Sequence, residues 1–368
     1  MIRLGLAFLV LAASFHASAE PIDEDWLQEK TEAAHSAGDL IALGAAVVTS
    51  GAQPIVAVTG EAAKGAGTPA RDDDAWHVGS NTKALTALLY GKLVENGHAE
   101  WGASMPTLFP EFSDEMPSEW KQVTIEDLFA HRSGAGQVGT LWLLSRHNDS
   151  RPMHEQRLET VRKRLTSELP GEYGAFEYSN LNYIIAGAAI EQITGMSWED
   201  AFREYILEEG EAEWADGWGF GAPPEGIQGH KRGMFGGQKS VGTGQGADNP
   251  QALGPAGTAH APLASHARLL LEFVNEDSSF ITPVLRENLL APWPDGNANY
   301  AMGWGILDDP DVGRIYLHNG SNTMWLSRVA LVPSREAVVI VNTNAFNDAA
   351  AEATQKLLNE IIAALPAE

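Results

Sequence analysis

Apolar and polar positions divide the chain into an opening apolar run, two β-rich regions and a long helical middle. Beyond "MIRLGLAFLVLAASFHASAE", residues Trp26 to Ala37 carry apolar positions at helical spacing, which predicts a short helix. "IALGAAVVTS" (41–50) and "PIVAVTG" (54–60) are β-rich and separated by Gly51-Ala52-Gln53, so they predict an antiparallel hairpin. "WHVGSNTKALTALLYGKLVENG" (76–97) reads as an amphipathic helix opening at Ser80. From residue 101 to about 290, helical patterns such as "MHEQRLETVRKRLTSEL" and "LNYIIAGAAIEQITG" alternate with Gly/Pro loops. Within them, 221–258 is a long glycine-rich stretch, and a loop of that length in a compact domain is usually functional or mobile. From Tyr300 the β pattern returns in "AMGWGILDD", "GRIYLHNG", "WLSRVALVP" and "EAVVIVNTN", three or four strands of an antiparallel meander. "NDAAAEATQKLLNEIIAALP" predicts a closing amphipathic helix capped by Asn347 or Asp348.

Strands near both ends and helices between them imply an α/β (α+β) fold. One antiparallel sheet is built from both termini and flanked by helices, with a large all-helical subdomain inserted. The expected division is 20–368 as a single domain, with a sheet part at 38–100 plus 290–368 and the helical part at 101–289. A ligand cleft belongs between the two parts.

Charge and composition narrow the function. Of 368 residues, 24 are Lys or Arg and 49 are Asp or Glu, for a net charge of −25. Such a surface repels nucleic acid and anionic lipid. The absence of cysteine excludes disulfides, Cys-based metal sites and a Cys nucleophile. Arg3, the apolar run Leu4–Ala13 and the small residues Ala17-Ser18-Ala19 have the form of a secretory signal peptide at 1–19, cleaved after Ala19. The expected product is exported, periplasmic or secreted, with no membrane span and no cofactor or metal. Its oligomeric state is open.

Three short motifs carry chemistry. Ser80 and Lys83 lie three apart on one helical face, so the amine can reach the hydroxyl. A serine needs a base to act as a nucleophile, and a lysine whose pKa is lowered by burial can serve. The spacing alone is weak evidence, because a helix cap with a solvated lysine explains it equally and Ser118-Glu-Trp-Lys121 repeats it. That second copy reads as a cap and a surface lysine. "EYSNLNY" holds Tyr178-x-Asn180, whose phenol and amide can face one cleft together. The alternative is a buried tyrosine and an N-cap asparagine. "YLHNGSNTMW" places His318, Gly320 and Ser321 at the end of a strand, where glycine allows a substrate backbone to approach. The N–H groups of Ser80 and Ser321 are candidate oxyanion donors. His77-Val-Gly79 is a second His-x-Gly that reads as shaping the approach to the helix.

In this order the motifs resemble those of the penicillin-recognising serine hydrolases: class C β-lactamases, serine D-Ala-D-Ala carboxypeptidases, D-aminopeptidases and related esterases. "TIEDLFAHRSGAG", "LPGEYGAFEYSNLNYIIAGAAIEQITGMSWEDAFRE", "GPAGT" and "YAMGWG" are similar in kind, and the resemblance runs from about 38 to 365. It implies a β-lactamase/transpeptidase-like fold. It further implies Ser80 as acylated nucleophile, Lys83 and Tyr178 as acid/base groups, and Asn180, His318, Gly320 and Ser321 as substrate contacts. The substrate would be a small molecule or peptide with an ester or amide carbonyl. Which of Lys83 and Tyr178 takes the serine proton is left open. His318 stands where dedicated β-lactamases carry a lysine. A histidine is mostly neutral at pH 7, which weakens the case for efficient β-lactam turnover.

The rival is a non-catalytic, penicillin-binding-like protein of the same fold, against which the intact Ser80, Lys83 and Tyr178 argue. An α/β-hydrolase would need Gly-x-Ser-x-Gly, which does not occur. A zinc hydrolase would need His-Glu-x-x-His, also absent, and His260 and His266 do not share a helix face. "GTGQG" lacks the strand, helix and Lys-Ser/Thr ending of a phosphate loop. Substrate choice falls to the pocket walls, for which 221–258 and the neighbourhood of Trp142 are candidates.

Overall fold

The computed structural model describes residues 22–209, 213–233 and 236–366, so the leader expected at 1–19 lies outside the described residues. In chain order the main elements begin with helix α1 (Glu24–Gly38) and strands β1 (Ala42–Thr49), β2 (Ile55–Gly60) and β3 (Ala75–His77). Helices α2 (Thr82–Glu95), α3 (Met153–Leu165) and α4 (Asn180–Thr194) follow. Next come strands β4 (Gly219–Phe220), β5 (His230–Arg232), β6 (Gln238–Ser240) and β7 (Ala259–Pro262), and helix α5 (Leu263–Leu271). Strands β8 (Gly305–Asp309), β9 (Gly313–Ser321), β10 (Leu326–Val332) and β11 (Ala337–Thr343) lead to helix α6 (Asp348–Ala364).

Strands from the two ends meet in one antiparallel sheet of order β2-β1-β11-β10-β9-β8. The junction is β1 against β11, with Leu43 opposite Thr343 and Val47 opposite Val339. β1 is apolar along its length because both of its faces are covered. Leu43, Ala45 and Val47 pack with Leu27 of α1 and Leu357 and Ile361 of α6. Ala42, Ala46 and Val48 belong to the opposite core, with Leu85 and Leu88 of α2 and Leu263 and Leu270 of α5. Asp23 caps α1 by accepting from Trp26 N–H at 2.8 Å. Asn347, rather than Asp348, caps α6 by accepting from Ala350 N–H at 2.9 Å.

Two expectations need correction. α2 is not amphipathic: every residue from Thr82 to Leu93 is buried, including Lys83 and Lys92. Its two lysines look like a solvated face in the sequence but point into the protein. The inserted middle is also not wholly helical. It contains β4 to β7, with β3-β7-β4 forming a small sheet and β5-β6 a hairpin. These strands are too short to show a period of two, and β7 finds its partner β3 far along the chain, His260 opposite His77. The glycine-rich stretch 221–258 is therefore partly hydrogen-bonded structure. Among the described residues no helix is long and apolar enough to cross a membrane.

Candidate active site

Ser80 lies in a single 3₁₀ turn, Gly79–Asn81, that joins β3 to α2. No side chain caps this start, so Ser80 is not an N-cap. Its hydroxyl instead lies 3.0 Å from Lys83 Nζ. Lys83 is fully buried, and its other partners are Asn180 Oδ1 at 2.8 Å and the Ala256 carbonyl at 2.6 Å. None of these is a carboxylate. Desolvation without a counter-charge holds the amine well below the ordinary lysine range. A neutral amine suits this geometry: its two N–H bonds point to Asn180 and Ala256, and its lone pair remains for the serine hydroxyl.

The Tyr-x-Asn segment is set by the start of α4. Ser179 is the cap, its hydroxyl accepting from Leu181 N–H at 3.1 Å. Asn180 is thereby relieved of the capping role that its position suggested, and its amide oxygen serves Lys83. Tyr178 lies with its ring 4.9 Å from Lys83 Nζ and 4.3 Å from the ring of His131. Burial raises the Tyr178 phenol above its ordinary range, partly offset by a hydrogen bond with Ser80. His131 is itself held by Ser179 N–H, which donates to its Nδ1 at 3.1 Å, and has a left-handed backbone with φ 61°. It is buried, and desolvation holds its pKa well below the usual histidine value.

β9 forms the opposite wall. It pairs with β10 up to Ser321 but with β8 only as far as Leu317, so His318 to Ser321 have a sheet neighbour on one side only. This end crosses the 3₁₀ turn at close range. A Cβ on Gly320 would sit 1.8 Å from the Val78 carbonyl oxygen and 3.0 Å from Ser80 N. A Cβ on Gly79, whose φ is 53°, would sit 2.4 Å from Ser321 N. Only glycines permit the crossing, which brings Ser321 N–H to the turn that carries Ser80. His318 Nδ1 is 3.1 Å from Asn81 Oδ1, and Asn81 Nδ2 donates to Ser327 Oγ at 2.8 Å. Asn81 therefore accepts from His318, leaving Nε2 as an acceptor. Burial first, and then Lys83 whenever its amine is protonated, pushes His318 down to about 3, so it is neutral at pH 7.

Ser80, Lys83, Tyr178, Asn180, His318, Gly320 and Ser321 thus converge from three separate stretches. The Ala256 carbonyl, Asn81 and His131 complete the surroundings. Their segments "GPAGT", "SNTK" and "HRSG" stand out in the sequence, but nothing there says which atom each contributes. Trp142 is occupied elsewhere, its indole donating to Thr160 at 3.0 Å. Ser118 and Lys121 are both exposed, and Ser118 Oγ bonds only Glu119. Glu119, not Ser118, occupies the cap position there. His77 is the last residue of β3, paired with His260, and accepts from Gly79 N–H at 3.1 Å at the approach to α2.

Comparisons with known proteins agree on the fold. A region of the Staphylococcus aureus (strain COL) protein flp is 30% identical over 127 residues, 33% of this chain and 24% of that protein. The chain therefore spans about a quarter of that relative's length. The D-amino acid amidase of Ochrobactrum anthropi SV3 superposes with a TM-score of 0.70 at 18% identity, covering 92% of this chain and 98% of that one. A class C beta-lactamase from Rhodobacter sphaeroides superposes with a TM-score of 0.70 at 19% identity, covering 92% and 99%. A family model described as Beta-lactamase matches residues 29–363, nearly all of the described chain, and the chain belongs to the beta-lactamase family.

Proposed function

We propose that the chain is an exported serine hydrolase that cleaves esters or amides through an acyl-enzyme on Ser80. The observation that carries this reading is a buried lysine amine, without a counter-ion among the described residues, 3.0 Å from the serine hydroxyl. Ser80 Oγ attacks the substrate carbonyl and its proton passes to Lys83 Nζ. The opposite pKa directions of the two candidates favour this assignment: Lys83 is lowered toward the neutral base, while Tyr178 is raised and stays a protonated phenol. The N–H groups of Ser80 and Ser321 receive the oxyanion. As the tetrahedral intermediate collapses, Tyr178 supplies a proton to the leaving group and takes up in its place the proton held by Lys83. Water then attacks the acyl-enzyme, giving a proton to Lys83, and that proton returns to Ser80 Oγ as it leaves. Asn180 keeps its amide N–H₂ for the substrate, since its oxygen is engaged by Lys83.

His318 supports a substrate without a carboxylate at that position. Its neutral ring offers an acceptor on the strand wall rather than a cation for a carboxylate. This favours neutral esters or D-amino-acid amides over carboxylate-bearing β-lactams, and the amidase named above is a structural precedent. The test is a fluorophosphonate probe with a panel of p-nitrophenyl esters, D-amino-acid amides and nitrocefin. The expected result is one adduct, on Ser80, that Ser80→Ala removes, with ester or amide turnover exceeding that of nitrocefin. If the wild-type protein stays unlabelled under conditions that label a class C β-lactamase, the binding-protein reading replaces this one.

A further inference from the structure

Behind the oxyanion side of the site lies a buried polar group that the proposed chemistry does not use: His77, Asp248 and Asn322, at 1%, 4% and 5% exposure. Gly79 N–H can only donate, and it donates to His77 Nδ1, so the His77 proton resides on Nε2. That N–H points to Asp248 Oδ2 at 2.9 Å. The other carboxylate oxygen of Asp248 accepts from Asn322 Nδ2 at 2.7 Å and from Asn249 N–H at 2.7 Å. Asn322 Oδ1 accepts from Met324 N–H at 3.1 Å, and the His77 ring stacks on Trp325 with centroids 6.4 Å apart. Three distant stretches are joined: the residues just before Ser80, the residue just after Ser321, and the glycine-rich segment.

We propose that His77, Asp248 and Asn322 are positioning residues that hold the two oxyanion donors in register. The reasoning rests on Ser80 being the nucleophile. Each donor is adjacent to a residue tied into this group: Gly79 precedes the Ser80 N–H, and Asn322 follows Ser321. Gly79 has a positive φ, and glycine has little intrinsic preference that would keep it there, so its peptide depends on the His77 bond for its orientation. The close crossing of Gly79 and Gly320 sets the spacing of the strand end and the turn, and Asn81 ties the far end of the turn to His318 and Ser327. Asp248 ties the near end, bonding His77 before the turn and Asn322 beyond the strand at once. Asp248 is thus the role that the sequence left unassigned within 221–258.

The experiment uses the whole protein and compares wild type with Asp248→Ala, Asp248→Asn and His77→Ala. Measured for each are kcat and KM on a p-nitrophenyl ester, affinity for an arylboronic acid that forms a tetrahedral adduct on Ser80, and melting temperature. Losing one oxyanion donor costs about 10²–10³ in rate, so a misaligned pair is expected to lower kcat about tenfold to a hundredfold. KM should stay within about twofold, and boronate affinity should fall by the same factor as kcat. Asp248→Asn, which keeps the shape and one acceptor, should lie between wild type and Asp248→Ala, and it carries the test if the alanine variant does not fold. Folded variants with wild-type kcat and boronate affinity, or with a loss confined to KM, overturn the proposal. Failure of wild type to be labelled at Ser80 overturns the underlying reading; equal labelling rates in wild type and variants overturn only the positioning role.

Discussion

Ser80-Asn-Thr-Lys83 and Ser118-Glu-Trp-Lys121 have the same spacing of the same two residues, and the fold surrounds them differently. At 80–83 a 3₁₀ turn feeds a helix buried on all sides, and the lysine meets a serine hydroxyl, an amide oxygen and a backbone carbonyl. At 118–121 a short 3₁₀ turn lies on the surface, the serine turns to Glu119 and the lysine is solvated. A third lysine sharpens the point. Lys92 is buried on the same helix as Lys83 but is paired with Glu95 at 3.1 Å and faces Glu209 at 3.5 Å. Burial with a carboxylate makes a structural ion pair, whereas burial without one makes a candidate base.

The sharpest way to break this comparison is to exchange the lysines' roles experimentally. Lys83→Met should slow acylation by about three orders of magnitude or more, as loss of a nucleophile's base does, while Lys121→Met leaves it within about twofold. Pre-steady-state release of p-nitrophenol measures both. In the wild type the rate should fall as pH drops through the lowered Lys83 pKa, because the protonated amine cannot accept the serine proton. Tyr178→Phe comes next, with an expected loss of about 10²-fold or more. If Tyr178→Phe leaves the rate unchanged, Lys83 performs both proton transfers.

Smaller effects fall on stability. Lys92→Met should leave the acylation rate per labelled site unchanged and cost about 1–3 kcal/mol in urea unfolding, because Glu95 and the Phe280 carbonyl lose a partner. A matching loss of acylation would show that the two buried lysines are not functionally distinct. His266 tests the same burial argument away from the site. It is buried without a hydrogen-bond partner among the described residues, and burial pushes it down to about 3 from 6.5. The unfolded chain therefore takes up this proton first as pH falls, and stability is lost from about pH 6.5 downward. His266→Leu should reduce that acid slope by up to about 1.4 kcal/mol per pH unit, read by urea unfolding at pH 7, 6 and 5. An unchanged slope would mean that His266 does not titrate as burial requires.

Much of the fold is legible in the chain because its long elements have strong periods. The β1–β2 hairpin, the C-terminal meander and the closing helix each follow from local pattern, and so does a sheet shared by both ends. What the pattern misses is short or non-local. β4 and β7 are brief segments stabilised by partners far along the chain, and they read as loop. α2 reads as amphipathic because Lys83 and Lys92 look like a solvent face; only the packing around the helix shows otherwise. At the site, Ser179 and Asn180 illustrate the limit. Both are good cap residues, and which one caps depends on the backbone angle at which the chain enters α4, leaving the other for Lys83.

By itself the sequence determined the order of elements, the acidic surface, and the residue types at Ser80, Lys83, Tyr178, Asn180, His318, Gly320 and Ser321, because these follow from local composition and spacing. Tertiary structure decided which serine–lysine pair is enclosed, that Lys83 meets an amide oxygen and a backbone carbonyl rather than a carboxylate among the described residues, that Gly79 and Gly320 cross in contact, and that Asp248 reaches His77 and Asn322. The reason is physical: a pKa depends on what surrounds a group, and those surroundings come from segments that are far apart in the chain.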